Sequence, residues 1–212
     1  MKPFLLVLSS PSGGGKTSIA RRLLDRRDDL GYSVSATTRA QRPGEVHGRD
    51  YWFLDPAEFE RRVAAGEFVE HASYNGQAYG TLRSEVERIF KQGKSVVLDI
   101  EVDGARQVRR QFPDAVLVFV LPPSGAELVR RLRARRTEGP AALRHRMAIA
   151  SQELAAVPEY DYVVVNDELD RAVGDVESIL SAEIRRSSRR DGLPAKVDAI
   201  RHEIEAEAAK LD

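Results

Sequence analysis

The sequence predicts an α/β fold in which helices cover both faces of a central parallel sheet. Four short apolar runs without polar alternation recur along the chain, at residues 4–8, 96–100, 116–121 and 162–165. Such runs are typical of strands that are buried on both faces. Helical patterns lie between them, with apolar residues three and four apart, as in Leu169, Val173, Val176, Leu180 and Ile184. This alternation of strand and helix favours a three-layer arrangement.

The first strand leads into a glycine-rich loop, FLLVLSSPSGGGKTS at residues 4–18. Because the glycines at residues 13–15 lack Cβ atoms, successive backbone N–H groups can point at one anion. Lys16 adds a point charge, and the N-terminus of the following helix faces the same place. The hydroxyl group of Thr17 is a suitable ligand for Mg²⁺.

This segment resembles the P-loop of nucleotide-binding proteins, although Ser10 stands where the general pattern has its first glycine. The alternative is an ordinary glycine-rich turn between a strand and a helix, which gives Lys16 no purpose. The resemblance predicts an ATP phosphate site formed by Ser12, Gly13, Gly14, Gly15, Lys16, Thr17 and Ser18.

Two segments interrupt the strand–helix rhythm. Residues 33–82 contain short β-branched and aromatic pieces separated by turn signals at Pro43-Gly44 and Asn75-Gly76, which indicate a β-rich insertion. Residues 126–147 are rich in arginine, and Gly139-Pro140 breaks their helical pattern, which indicates two helical pieces joined by a hinge. We therefore predict one domain with a core at 1–32, 83–125 and 148–212, an insertion at 33–82 and a lid at 126–147.

The last apolar pattern predicts an amphipathic helix after Pro194, with Val197, Ile200, Ile204, Ala208 and Leu211 on one face. This face packs either on the body of the protein or on a partner. The helix is where we expect self-association, so a homo-oligomer is one prediction.

Composition narrows the functional classes. A chain of 212 residues can bury one substantial core. Its formal net charge of zero argues against a protein whose main role is to hold nucleic acid. The sequence contains no cysteine and no apolar stretch long enough for a signal peptide or a membrane span. We expect a cytoplasmic protein with no membrane partner.

The insertion supplies the more specific signal, in SVSATTRAQRPGEVHGRDYWF at 33–53 and FVEHASYNGQAYGT at 68–81. Together with the P-loop, VVLDIEVDG at 96–104, RLRAR at 131–135, Arg146 and VVVND at 163–167, these segments resemble guanylate kinases. The resemblance implies a P-loop NTPase-type fold and transfer of the γ-phosphoryl group of ATP to GMP, and to dGMP as well, in purine nucleotide metabolism. It also implies Mg²⁺ as the cofactor.

By this resemblance, four residues hold the phosphate of GMP. Arg39 and Arg42 lie three apart beside a proline-glycine turn, and two guanidinium groups can clamp one phosphate. Tyr51 and Tyr79 contribute hydroxyl groups. Each of these residues, taken alone, is more often a solvated arginine or a core tyrosine.

The resemblance assigns recognition of the base to Glu70, with Ser35 and Thr81 as companion hydroxyls. Guanine presents N1–H and N2–H₂ donors side by side to the two oxygens of a carboxylate, whereas adenine presents an acceptor at N1. A site of this kind rejects the wrong ligand by roughly 10⁴. The alternative for Glu70 alone is a surface acid on a strand.

Acidic residues follow the strand at 96–100. Asp99 stands where parallel sheets place ligand-facing residues, and the resemblance implies that it binds Mg²⁺ through water and lies near GMP. Glu101 replaces the aspartate that is more common near GMP, and Asp103 replaces a glutamine. The alternative for either residue is capping of the next helix.

The lid supplies cations to the triphosphate by the same resemblance, from Arg131, Arg135 and Arg146, and Asn166 contacts the adenine of ATP. Arg136 replaces the glycine that usually follows Arg135. The alternative is an amphipathic helix with a solvated basic face. The residues implied to be catalytic are Lys16, Arg39, Arg135 and Arg146; Arg146 is also expected to contact GMP.

Two rival functions remain open. Guanylate-kinase-like domains also serve as inactive peptide-binding modules, but these typically lack a working P-loop, which residues 13–17 retain. A kinase for AMP or dTMP is the second rival, and Glu70 argues against it.

Overall fold

The computed structural model describes residues 2–74, 76–134 and 140–210. The strands are β1 Leu5–Ser9, β2 Leu30–Tyr32, β3 Ala36–Thr37, β4 Trp52–Phe53, β5 Phe68–Tyr74, β6 Gln77–Leu82, β7 Ser95–Asp99, β8 Val116–Leu121 and β9 Tyr162–Val165. The helices are α1 Lys16–Arg26, α2 Pro56–Ala64, α3 Arg83–Lys91, α4 Val102–Gln111, α5 Gly125–Ala134, α6 Pro140–Leu154, α7 Leu169–Arg185 and α8 Leu193–Ala208.

The main sheet has five parallel strands in the order β2-β7-β1-β8-β9, which confirms the predicted α/β fold. Successive residues of β1 point to opposite faces of the sheet. Leu6 and Leu8 pack with residues of α1 and α7, while Leu5 and Val7 pack with residues of α3 and α4. Because both faces are covered by helices, all four residues from Leu5 to Leu8 are apolar, and this explains the continuous apolar run.

The prediction that the run at 162–165 is buried on both faces is wrong. Val163 and Val165 of β9 are 46% and 45% exposed, whereas Val164 is buried. β9 is an edge strand, and α7 covers only one of its faces. The pattern also gave no indication of β2, which has only three residues.

A second, four-stranded sheet has the order β4-β3-β6-β5 and is built from residues that fall within the predicted insertion. β5 and β6 form an antiparallel hairpin, and Ala36, Phe59, Phe68 and Leu82 form a separate apolar cluster beneath it. The bounds predicted for core, insertion and lid stay a prediction.

The carboxyl ends of the parallel strands meet at one edge of the main sheet, where ligands bind in open α/β folds. β1 runs into the glycine-rich loop there, β7 ends at Asp99, and β9 ends just before Asn166. Arg135, Arg136 and Gly139 lie outside the described residues. Within the described part of the chain, no helix is both long enough and apolar enough to cross a membrane.

Candidate active site

The loop after β1 requires glycine for physical reasons. Gly13 and Gly15 have φ angles of 88° and 100°, in the left-handed region that favours glycine. A Cβ atom on Gly15 would lie 2.1 Å from Nδ2 of Asn166. The loop is therefore held in one conformation by a close contact with β9's carboxyl end, which an ordinary turn does not need.

Asn166 holds the glycine-rich loop through a hydrogen bond to its backbone. Its side chain is buried and donates a hydrogen bond from Nδ2 to the carbonyl oxygen of Gly14 at 2.8 Å. Arg131 of α5 donates from Nη2 to the carbonyl oxygen of Asn166 at 3.0 Å, and also binds Glu127. The structure thus brings Asn166 and Arg131 to the P-loop, and the observed contact of the Asn166 amide is with the loop backbone.

Lys16 and Thr17 begin α1 and face different acids. Nζ of Lys16 lies 2.6 Å from Oε1 of Glu101, and the Lys16 side chain is only 13% exposed. A hydrogen bond links Thr17 with Asp99, and burial raises the pKa of the Asp99 carboxyl group. Ser18 is exposed. Glu101 is therefore the partner of the P-loop lysine in this structure.

Two residues of α6 reach back to the loop. Nη2 of Arg146 donates to Oγ of Ser12 at 2.9 Å, and Oε2 of Glu153 accepts from the backbone N–H of Ser12 at 3.3 Å. Burial and the neighbouring Glu101 carboxylate raise the pKa of Glu153 to about 7. Sequence reasoning missed Glu153, because nothing local in the sequence links it to a loop 141 residues away.

Glu70 is a buried acid, 5% exposed, so the alternative of a surface acid is wrong. Thr81, its neighbour across the β5–β6 hairpin, donates from Oγ1 to Oε1 of Glu70 at 2.7 Å. Burial raises the pKa of Glu70. Gly104 of α4 makes room for this carboxylate, because a Cβ atom there would lie 2.7 Å from Oε2. Gly104 is a second residue that sequence reasoning missed.

Three of the four side chains predicted to bind the phosphate of GMP are neighbours. The guanidinium carbon of Arg39 lies 5.2 Å from the ring centroid of Tyr51, which lies 6.3 Å from that of Tyr79. Glu45 was not predicted, and it binds Arg39 through both oxygens, at 2.7 and 3.0 Å. It also accepts from the backbone N–H of Arg42 at 2.8 Å, while the Arg42 side chain is exposed.

The remaining predicted residues lie around this region. Ser35 is half-buried just before β3, and its carbonyl oxygen accepts from the backbone of Trp52 at 2.9 Å. α4 begins at Val102, so Asp103 lies inside its first turn and pairs with Arg106 at 2.8 Å. The alternative that Asp103 caps this helix is therefore wrong.

Thr17 and Asp99 are the predicted ligands of a cation in this region. Among the described residues, no cluster of three or more histidine, aspartate or glutamate side chains could hold a metal. Mg²⁺ commonly binds through one or two protein oxygens together with waters and substrate phosphates. The hydrogen-bonded oxygen atoms of Thr17 and Asp99 fit that requirement.

A protein-family model described as guanylate kinase matches residues 2–183. The chain belongs to the guanylate kinase family. Its match covers both sheets and α1–α6 in full, and it ends within α7, so that α8 lies beyond it.

Individual members of the guanylate kinase family resemble the chain over most of its length. The guanylate kinase of Symbiobacterium thermophilum is 50% identical over 188 residues, which are 89% of each chain. That of Paramagnetospirillum magneticum is 48% identical, covering 93% of this chain and 92% of the relative. The crystal structure of guanylate kinase from Anaplasma phagocytophilum superimposes with a TM-score of 0.76 at 34% identity, over 93% of this chain and 94% of that one.

Proposed function

We infer that the chain is an ATP:GMP phosphotransferase, which transfers the γ-phosphoryl group of ATP to GMP and releases ADP and GDP. The observation that carries this inference is the buried Glu70 carboxylate on the second sheet. Burial raises the pKa of Glu70, and Lys16 lies near enough for the lysine charge to oppose that larger effect. The Glu70 carboxylate accepts from the hydroxyl group and from the backbone N–H of Thr81, and a carboxylate has about four acceptor sites, so acceptor sites remain for the N1–H and N2–H₂ groups of guanine. Ser35 is the further hydroxyl proposed at the base.

The ATP side of the site is proposed to be the P-loop. The backbone amides around Gly13 and Gly15 and the ammonium group of Lys16 bind the phosphates, and Ser12, Gly14, Thr17 and Ser18 complete the loop. Arg131 and Asn166 adjoin it from α5 and β9. Their contacts with each other and with Gly14 support a role in shaping the ATP site.

Mg²⁺ is the proposed cofactor, held by the Thr17 hydroxyl directly and by Asp99 through water. When bound, it neutralises charge on the phosphates of the donor nucleotide. The hydrogen bond between Thr17 and Asp99 brings the two proposed ligands together.

The phosphate of GMP is proposed to bind Arg39, Arg42, Tyr51 and Tyr79, with Glu101 and Asp99 nearby. In this structure the Glu45 carboxylate accepts from both Nη1 and Nη2 on the donor edge of the Arg39 guanidinium group. A phosphate carries more charge and more acceptor oxygens than a carboxylate, so it competes well for the same donors. GMP binding therefore exchanges one anion for another on Arg39.

The chemistry needs no general base from the protein. The second pKa of a phosphate monoester is near 6, so the acceptor oxygen of GMP is already anionic at neutral pH. Catalysis consists of holding two anions in line and stabilising the charge between them. We assign this to Lys16, Arg39 and Arg146, and to Arg135, which lies outside the described residues.

A coupled assay of ADP formation tests this proposal, with ATP, Mg²⁺ and GMP, dGMP, AMP or dTMP in turn. We expect rapid turnover with GMP, turnover with dGMP, and roughly 10⁴-fold lower kcat/KM with AMP. A preparation of Lys16→Ala, purified in parallel, controls for contaminating kinases. Equal rates with AMP or dTMP would contradict the proposed substrate, and no turnover with any monophosphate would favour the peptide-binding module. A cytoplasmic location and the absence of nucleic-acid partners stay predictions.

A further inference from the structure

The C-terminal helix α8 leaves most of its apolar side chains exposed to solvent, although Leu193 at its start is half-buried. None of the residues of Leu193–Ala208 is buried, and Val197, Ile200 and Ile204 are 45%, 46% and 63% exposed. Isolated helices of about this length are marginally stable in water, because nucleation is costly and most helical stability comes from packing. α8 therefore requires a partner surface that the described part of the chain does not provide.

The spacing of the apolar residues identifies the kind of surface. Leu193, Val197, Ile200 and Ile204 are separated by four, three and four residues, which is the alternation of a coiled-coil seam. Lys196 and Glu203 flank the seam on the same side, because they are seven residues apart and directly precede Val197 and Ile204. A narrow seam of this type is complementary to another helix with the same spacing.

We propose that α8 pairs with α8 of a second copy of this chain, in an antiparallel arrangement with two-fold symmetry. One register pairs every seam residue with an apolar seam residue of the second copy. In this register Val197 lies opposite Ile200 of the second copy, and Leu193 lies opposite its Ile204. The symmetry repeats both contacts, so four consecutive layers are entirely apolar.

The charges favour the same register. Antiparallel pairing with these layers puts Lys196 next to Glu203 of the second copy, and the symmetry forms this pair twice. A parallel pairing would instead put Lys196 next to Arg201. Among the ion pairs of the described residues, neither Lys196 nor Glu203 has a partner, whereas Arg201 approaches Asp198 and Glu205 of its own helix at 3.9 Å.

The geometry leaves the nucleotide sites free. A helix of 16 residues is about 24 Å long, so an antiparallel pair holds the two bodies at opposite ends. The proposed interface also lies beyond residue 183, where the match to the guanylate kinase family ends. The inference is therefore independent of the proposed reaction.

Sedimentation velocity across a dilution series tests the pairing. We expect the full chain to be a dimer that dissociates on dilution, and Ile200→Asp to be a monomer throughout. Ala199→Asp is the matched control, because it puts the same charge on the same helix away from the seam, and it stays a dimer. A monomeric wild type, a dimeric Ile200→Asp or a monomeric Ala199→Asp would each overturn the proposal.

Charge reversal tests the register. Lys196→Glu and Glu203→Lys each place like charges in contact, so each raises the dimer dissociation constant roughly tenfold, and the double variant restores the wild-type value. Tighter dimers of Lys196→Glu, or failure of the double variant to recover, would overturn the antiparallel register. Because α8 contributes nothing to the buried core, unchanged phosphotransferase activity and circular dichroism serve as the folding control.

Discussion

The two halves of the proposed site offer phosphate different kinds of donor. The P-loop uses backbone amides, whose directions are fixed by the φ angles of Gly13 and Gly15 and by the contact with Asn166. The proposed GMP side uses side chains of the second sheet and its loops, where Arg39 lies over the ring of Tyr51 and Tyr51 meets Tyr79 edge to face. Backbone donors recognise any phosphate, whereas side chains such as Glu70 can also select a base.

The two halves share one feature: in each, a glutamate carboxylate forms an ion pair with the cationic side chain proposed to bind phosphate. Glu101 forms an ion pair with Lys16, and Glu45 forms one with Arg39. These contacts pair both cations, and an unpaired, partly buried charge is costly. In the proposed function, nucleotide phosphates replace these internal ion pairs, and the net gain depends on the higher charge of phosphate.

The largest effect is expected from Lys16→Ala, which removes the only side-chain cation at the start of α1. We expect kcat to fall by about 10²–10³, as for loss of one preorganised donor to the transition state. Lys91→Ala, an exposed lysine at the end of α3, is the control. Retained turnover of Lys16→Ala in the coupled assay, with unchanged circular dichroism, would remove the P-loop half from the mechanism.

A glycine exchange tests whether the loop backbone itself is the binding element. Gly15→Ala forces an L-residue to φ 100° and places Cβ 2.1 Å from Nδ2 of Asn166, so ATP affinity is expected to fall by about one to two orders of magnitude. Gly174→Ala is the matched control, because that Cβ meets nothing within 4 Å. In helix α7 it raises the free energy of unfolding by roughly 0.5–1 kcal/mol. Isothermal titration measures ATP affinity, and denaturant unfolding measures stability. If Gly15→Ala bound ATP as tightly as the wild type and Gly174→Ala do, the backbone role would be contradicted.

On the GMP side, Glu70→Gln keeps the size of the side chain and presents a donor to the guanine donors. The loss of a charge-assisted hydrogen bond of about 1.5–3 kcal/mol lowers kcat/KM for GMP by roughly ten- to a hundredfold, while ATP affinity is unchanged. Glu60→Gln, on the exposed face of α2, controls for the change in charge. If both variants used GMP as the wild type does, Glu70 would have no role at the base.

The smallest effect concerns pH and Glu153 at the P-loop. Its pKa is raised to about 7 in the folded protein, above the ordinary value near 4.5, so the folded state binds more protons between these pH values. The free energy of unfolding therefore falls as pH rises from about 4.5 to 7. Because the group is partly solvated, we expect Glu153→Gln to stabilise the protein by about 1 kcal/mol at pH 8 and much less at pH 5. Urea unfolding of the wild type and the variant at both pH values checks this. If Glu153→Gln changed the free energy of unfolding equally at pH 5 and pH 8, the raised pKa of Glu153 would be refuted.

The sequence was most informative where structure is local. The residue types of the P-loop indicate phosphate binding directly, whereas the role of Glu70 and Thr81 in the hairpin could be predicted only through the resemblance of a continuous segment to guanylate kinases. Glu45, Glu153 and Gly104 were missed because an acid or a glycine gains meaning only from what packs against it. The error at β9 has the same cause, since an apolar run does not reveal that its sheet ends there.

The most direct test of the two-halved site is a crystal structure with GMP bound. We expect N1 and N2 of guanine within hydrogen-bonding distance of the Glu70 carboxylate, and the GMP phosphate on Arg39 in place of Glu45. A structure in which guanine lies away from Glu70, or in which Glu45 keeps Arg39 while GMP is bound, would contradict the account.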